Sequence, residues 1–392
     1  MNPKTVLHVI ASMDPKMGGV CTAVRLMIGG LDSVGITNEV VSLDSPDASY
    51  LCTDSFPIYA LGPGKTAWCY GQKLLPWFKK NLGRFDVVLI HGLWLYPGSA
   101  VTCAISLLRS KRSKTPKVFV MPHGMLDPYF QNTPGRKFKA IRNRICWKFI
   151  EHKVINNADG LLFTCEIEKE LAKITFRGYK PQGEMVVGLG IDDPPVFNHE
   201  VSSGFQNEIR PGLKESYWLY ISRIHKKKGV DLLVNAYVNL KKNHANLPPL
   251  LIAGPGLETE YGKYIQHLAS QTSDIHFTGM LTGNAKWRAF YGCEAFILPS
   301  HQENFGIAIV EAMACGKPVL ISNQINIWKE IENSGAGIIS DDTQQQTEEM
   351  LTLWTTLSTD DKYKMGVRAK SCYKNYFSLQ AATERLHAAI CN

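Results

Sequence analysis

Two sets of short apolar runs, each run bounded by Gly, Pro, Asn, Asp or Ser and followed by a helix-patterned stretch, constrain this chain more than any other feature. The first set is VLHVIAS (6–12), NEVVSL (38–43), DVVLIHG (86–92), KVFVMPHG (117–124) and ADGLLFT (158–164). The second is YWLYISR (217–223), PLLIAGPG (249–256), IHFTG (275–279), AFILPS (295–300) and KPVLIS (317–322). Near-continuous apolar runs of this length belong to parallel strands covered on both faces. Strands alternating with helices mean an α/β fold.

At 392 residues the chain exceeds one ordinary core, so each set is expected to wind its own sheet. Between the sets, VVGLGIDDPPVFNHEVSSGFQNEIRPG (186–212) is rich in Gly, Pro, Asp and Asn and reads as a connecting segment. The expected organisation is a Rossmann-like domain over 1–195, a linker over 196–214, a second Rossmann-like domain over 215–370, and a helix over 371–392 packing back on the first domain. Ligands of open α/β sheets sit outside the carboxyl ends of the strands, which predicts a site in a cleft between the two sheets.

No apolar run approaches the ~18 residues of a membrane span, and VLHVIAS lacks the basic flank and cleavage site of a signal peptide. The ten cysteines form no CxxC pair and read as reduced thiols. The expected location is the cytoplasm, or the inner face of the cell membrane as a peripheral protein. The net charge of +8 concentrates in RSKRSKTPK (109–117) and GRKFKAIRNRICWK (135–148). That base is either a solvated face or a contact for an anionic membrane or substrate. No helix-turn-helix, zinc-finger or RNP pattern organises it for nucleic acid.

The candidate chemistry lies just past the strands. In ISRIHKKKGVDLL (221–233), Arg223 and Lys228 precede a helix and could converge on a diphosphate, Arg as a bidentate fork and Lys as a point charge. Lys226 and Lys227 read as solvated. LIAGPG (251–256) brings Gly254 to a turn where a backbone can approach a ligand. FTGML (277–281) places the backbone around Met280 at another strand end, where it could face a nucleobase. HQENFGIAIVEAMACGKPV (301–319) reads as a loop entering a helix of about ten residues that stops at a glycine. Its start would offer the N–H groups of Phe305, Gly306 and Ile307 to an anion. Glu303 lies before that start and Glu311 about two turns inside, too far apart for a glycosidase pair. They read as acceptors for hydroxyl groups on either side of a phosphate; the plain alternatives are a loop carboxylate and a helix-dipole partner.

In the first half, MDPKMGGV (13–20) sets Gly18 and Gly19 ahead of a helix, where backbone could approach phosphate. It is not GxGxxG and no ribose-binding acid follows at the next strand end, which weighs against a nicotinamide cofactor. IHGLW (90–94) and MPHGMLD (121–127) place His91 and His123 at strand ends.

Together these segments resemble glycosyltransferase family 4, retaining nucleotide-sugar transferases of the GT-B fold. The likeness is densest from SRIHKKKG through AGPG and FTG to the E-x7-E segment, and HGLW and PHGMLD look similar to members from bacterial polysaccharide assembly. The resemblance implies that Arg223 and Lys228 bind the donor diphosphate, with Lys227 the competing candidate. It implies that Glu303 holds sugar hydroxyls, that the backbone from Asn304 to Ile307 meets sugar and phosphate, and that Glu311 holds the ribose. Gly18 and Gly19 would admit the diphosphate, and His123 would reach the sugar near the reacting carbon. Asp14, His91, Trp94 and Asp127 are the candidate acceptor contacts. No metal and no cofactor is implied beyond the nucleotide sugar, expected to be UDP-linked; the acceptor is expected to be a saccharide, free or lipid-linked. A nucleotide-sugar epimerase of the same architecture and a non-catalytic basic scaffold binding membrane or polymer are the alternatives.

Overall fold

The computed structural model describes residues 5–133, 135–196, 216–244 and 246–391. Apart from Val196, the expected linker over 196–214 lies outside them. The chain divides into two compact units, Met1–Gly190 with Leu379–Asn392, and Ile191–Ser378.

The first unit is built on a seven-stranded sheet in the order β3-β2-β1-β4-β5-β6-β7, every pair parallel. Its strands are β1 (Thr5–Val9), β2 (Thr37–Ser42), β3 (Ile58–Ala60), β4 (Val87–His91), β5 (Lys117–Met121), β6 (Gly160–Phe163) and β7 (Glu184–Val186). The central strands are apolar on both faces because helices cover both: all five residues of β4 are buried, among Leu7, Val101, Phe163 and other core side chains. The helix Leu379–Cys391 belongs to this unit and lies against the helix Gly19–Ser33. Gly30 permits that approach, since a Cβ there would stand 2.0 Å from Thr383 Oγ1.

The second unit has a six-stranded parallel sheet in the order β10-β9-β8-β11-β12-β13. Its strands are β8 (Tyr217–Ile221), β9 (Leu250–Ala253), β10 (Ile275–Gly279), β11 (Cys293–Leu298), β12 (Val319–Ser322) and β13 (Gly337–Ser340). In both sheets β-order reverses direction beside the first strand of the unit, so the loops after β1 and β4, and after β8 and β11, open at a topological switch point.

Candidate functional site

In the second unit the loop after β8 is shaped before it offers any charge. A single 3-10 turn, Lys226–Lys228, is capped by His225, whose Nδ1 accepts the Lys227 N–H at 3.1 Å. Gly229 follows in the left-handed region at φ +62°, and a Cβ there would stand 1.9 Å from the Pro299 carbonyl oxygen. Only glycine lets the loop after β8 lie flush on the end of β11. That contact delivers Lys228 inward: it is 8% exposed, and its ammonium is ion-paired with Glu303. Burial, then the neighbouring Lys227 and Arg223 charges, lower its ionisation to about 7. The Glu303 carboxylate paired with it works the other way, since an adjacent opposite charge favours the ammonium form. Lys227, the competing candidate, instead gives its carbonyl to the His301 N–H and the Ser300 hydroxyl, both at 2.9 Å. Arg223 is exposed beside them, its carbonyl accepting the Tyr220 hydroxyl at 3.1 Å.

Glu303 is held through its backbone, which donates to the Gln324 carbonyl and accepts from the Asn326 N–H, each at 3.0 Å. Asn304 accepts from the Asn326 amide at 3.3 Å. Phe305 is buried edge-on to Phe377, so only its backbone is available to a ligand. Gly306, at φ +77°, caps the helix Ile307–Ala314, which is eight residues long with Gly306 outside it. The first N–H groups of that helix have no intrahelical acceptor, and its start carries roughly half a positive charge. Glu311 is 8% exposed and accepts from Lys286 Nζ at 2.6 Å; burial raises its ionisation. Each of the two glutamates thus has its own lysine. Gly254 packs the strand-end loops together: its N–H donates to the Gly279 carbonyl at 2.8 Å, and a Cβ would stand 1.9 Å from the Ser222 carbonyl. Met280, just past β10, is 69% exposed.

In the first unit, Gly18 at φ +102° precedes the helix that begins at Gly19, and Asp14 caps the intervening turn by accepting the Lys16 N–H at 2.9 Å. Trp94 and His123, past the ends of β4 and β5, hold positive φ of 70° and 52°, conformations side-chain-bearing residues rarely adopt. Trp94 N–H donates to the buried carboxyl of Glu151 at 2.9 Å. Asp127 accepts the Tyr129 N–H at 2.8 Å and so caps its own turn. Glu168 ties two loops together, accepting from Gly124 N–H at 2.5 Å and from the Thr164 N–H and hydroxyl at 2.7 and 2.6 Å.

His123 ends a chain of three imidazoles with a defined proton order. Asn38 Nδ2 donates to Asp32 Oδ1 at 2.8 Å and to the Ile36 carbonyl at 2.9 Å, so its Oδ1 is the acceptor for His8 Nε2–H at 3.0 Å. His8 Nδ1 then accepts from His91 Nε2–H at 3.0 Å, and His91 Nδ1 accepts from His123 Nε2–H at 3.1 Å. Burial lowers His8 and His123 to about 4 and His91 well below its ordinary value, so the three rings are neutral. His123 is left with a lone pair at Nδ1, an acceptor for a hydroxyl. Both nitrogens of His91 are engaged within the chain, leaving none for a ligand.

The pairing of Lys228 with Glu303 joins two segments that sequence spacing marked separately. Lys286, Asn38, His8 and Glu168 were not marked at all: each acts on a residue remote in sequence, and only a polar residue inside an apolar strand or helix start hinted at them.

Residues 205–369 match the family model described as "Glycosyl transferases group 1". O-antigen chain mannosyltransferase C of Escherichia coli is 29% identical over 194 residues, 47% of this chain and 49% of that protein. D-inositol 3-phosphate glycosyltransferase of Stackebrandtia nassauensis is 25% identical over 199 residues, 48% and 44% of the two chains. The chain thus spans about half the length of the curated relatives it matches. Among solved structures, Anabaena HepE in complex with UDP-glucose aligns with TM-score 0.74 at 14% identity, covering 99% of both chains. WaaG, a glycosyltransferase involved in lipopolysaccharide biosynthesis, aligns with TM-score 0.69 at 16% identity, covering 98% of this chain and 99% of that one. These likenesses fix the fold as GT-B, two Rossmann-like domains.

Proposed function

From the premise that the chain carries a glycosyl transferases group 1 domain on a GT-B fold, we propose that it moves a hexose from a UDP-sugar to a saccharide acceptor with retention at the anomeric carbon, in the assembly of a cell-surface polysaccharide. The observation that carries this reading is the Lys228–Glu303 pair set beside the Gly306-capped helix start. A buried ammonium, an exposed guanidinium and a helix N-terminus suit a diphosphate, and two separate carboxylates suit the hydroxyls on either side of it.

The bond from the anomeric carbon to the diphosphate loosens first, and Arg223, Lys228 and the helix start take the charge that leaves. The acceptor hydroxyl forms the new bond from the same face, and its proton passes to an oxygen of the departing phosphate. Glu303 orients the sugar and Glu311 the ribose; in the first unit, His123 Nδ1 is the acceptor for a substrate hydroxyl. These cations carry the charge without a divalent metal. Support for uridine comes from the UDP-glucose complex of the HepE neighbour, and for the polysaccharide role from the O-antigen relative.

A thermal-shift panel of UDP-, GDP- and ADP-sugars tests the reading. A donor at a hundred times its Kd adds about 2.7 kcal/mol of stability, and the largest shift is expected with a UDP-sugar. No shift with any of the three would overturn it. Sugar isomerisation without an added acceptor would favour the epimerase instead.

A further inference from the structure

The segment GRKFKAIRNRICWK carries more than charge. Residues Lys137–Cys146 form a helix that continues through a π turn, Trp147–Glu151, into His152–Asn156. Its inner side, with Ala140, Trp147, Glu151 and Val154, is buried in the first unit. Its outer side is apolar as well: Phe138 is 90% exposed, Phe149 61%, Ile145 56% and Ile141 53%. At the 100° per residue of an α-helix Phe138, Ile141 and Ile145 fall in one stripe less than a quarter of the circumference wide, and Phe149, in the π turn, lines the same groove as they do. Lys137, Lys139, Arg142, Arg144 and Lys148 are exposed along its flanks, and none of them takes part in an ion pair among the described residues. Beside the stripe runs a groove of about 620 Å³ whose far wall includes Trp68 and Trp94. The indole N–H of Trp68 is buried and has no acceptor among the described residues.

We propose that this face is a peripheral docking surface for a lipid bilayer bearing anionic headgroups. Soluble proteins rarely leave a large contiguous apolar patch in water, and such patches mark protein or membrane contacts. Apolar residues with cations on both flanks match the acyl boundary and the phosphates of a bilayer, in the plane of the interface. Trp68 and Trp94, which line the groove, are of the residue type enriched where apolar surface meets headgroups. A second copy of the chain fits poorly, because a two-fold contact would set the same cations against each other. The inference stands apart from the donor assignment and concerns where the enzyme works.

Flotation of the full chain with vesicles of phosphatidylcholine alone, or mixed with phosphatidylglycerol, tests it. Binding to the mixed vesicles is expected, weakening as salt rises. Phe138→Ser and Phe149→Ser should each weaken it about tenfold, with melting temperature unchanged because both rings are exposed. The triple change Lys137→Gln, Arg142→Gln, Lys148→Gln should remove the preference for the anionic lipid. Absence of binding to the mixed vesicles, binding that survives both phenylalanine changes, or a dimer that those changes dissolve would each overturn the proposal.

Discussion

Two glycines of the second unit share nearly the same backbone conformation and differ in what surrounds them. Gly229 has φ +62° and Gly279 φ +70°. A Cβ on Gly229 would stand 1.9 Å from the Pro299 carbonyl oxygen, whereas one on Gly279 would meet nothing within 4 Å. Alanine at either position bears the left-handed penalty of roughly 1–2 kcal/mol. At Gly229 it must also push two backbone segments apart by about 1 Å, adding roughly 1–3 kcal/mol of overpacking. For a unit of this size each kcal/mol lowers the melting temperature by about 2–4 °C. Gly279→Ala is therefore expected to cost about 2–8 °C and Gly229→Ala about twice that, read by calorimetry on the full chain. Because Gly229 adjoins Lys228, a displacement of that size should also lower kcat/KM about a hundredfold. If the two variants melt within about 1 °C of each other, the steric account of the Lys228 loop is wrong.

Arg223→Ala should lower kcat about 10²–10³-fold, the usual loss for one preorganised charge contact at a leaving group, while its exposure leaves the fold intact; unchanged kcat/KM would remove Arg223 from the site. Glu311→Gln, which takes a charge from the Lys286 pair, should raise KM for the donor more than it lowers kcat, since a ribose contact is remote from the reacting bond. The histidine chain predicts acid sensitivity: His8 and His123 ionise near 4 when folded and near 6.5 when unfolded, so their contribution to stability is present above 6.5 and is lost as pH falls toward 4. One unit below 6.5 the two together should cost about 3 kcal/mol, and His8→Phe should flatten that slope. Nitrogen chemical shifts of labelled histidine at neutral pH should show His123 protonated at Nε2; protonation at Nδ1 would contradict the proton order set by Asn38.

The sequence carried the interior strands plainly because burial on both faces writes a continuous apolar run. The strands it did not mark, β3, β7 and β13, are short and lie at sheet edges, where partly exposed residues such as Tyr59, Glu184 and Gly337 break the run. The loops around Lys228, Glu303 and Gly306 were legible because their residue types and glycines follow strands directly. Lys286 beside Glu311 was not, since nothing local distinguishes it from any helical lysine. His8 was hidden differently: inside VLHVIAS it read only as a strand residue, and its meaning depends on β4 lying next to β1, with β5 beyond. In GRKFKAIRNRICWK the density of charge masked the apolar stripe that Phe138, Ile141 and Ile145 form and that Phe149, just beyond it, extends.

The helix Leu379–Cys391 has a consequence for how the molecule is made. It completes the first unit, yet the whole of Ile191–Ser378 is synthesised before it. Until it emerges, the cavity where Met27 and Val187 meet Leu386 stands open to water. The second unit is continuous in the chain and can close while the first still lacks a wall, the reverse of the usual order in which the N-terminal domain folds first. A half-built first unit is then the species most exposed to chaperones and proteases on the ribosome.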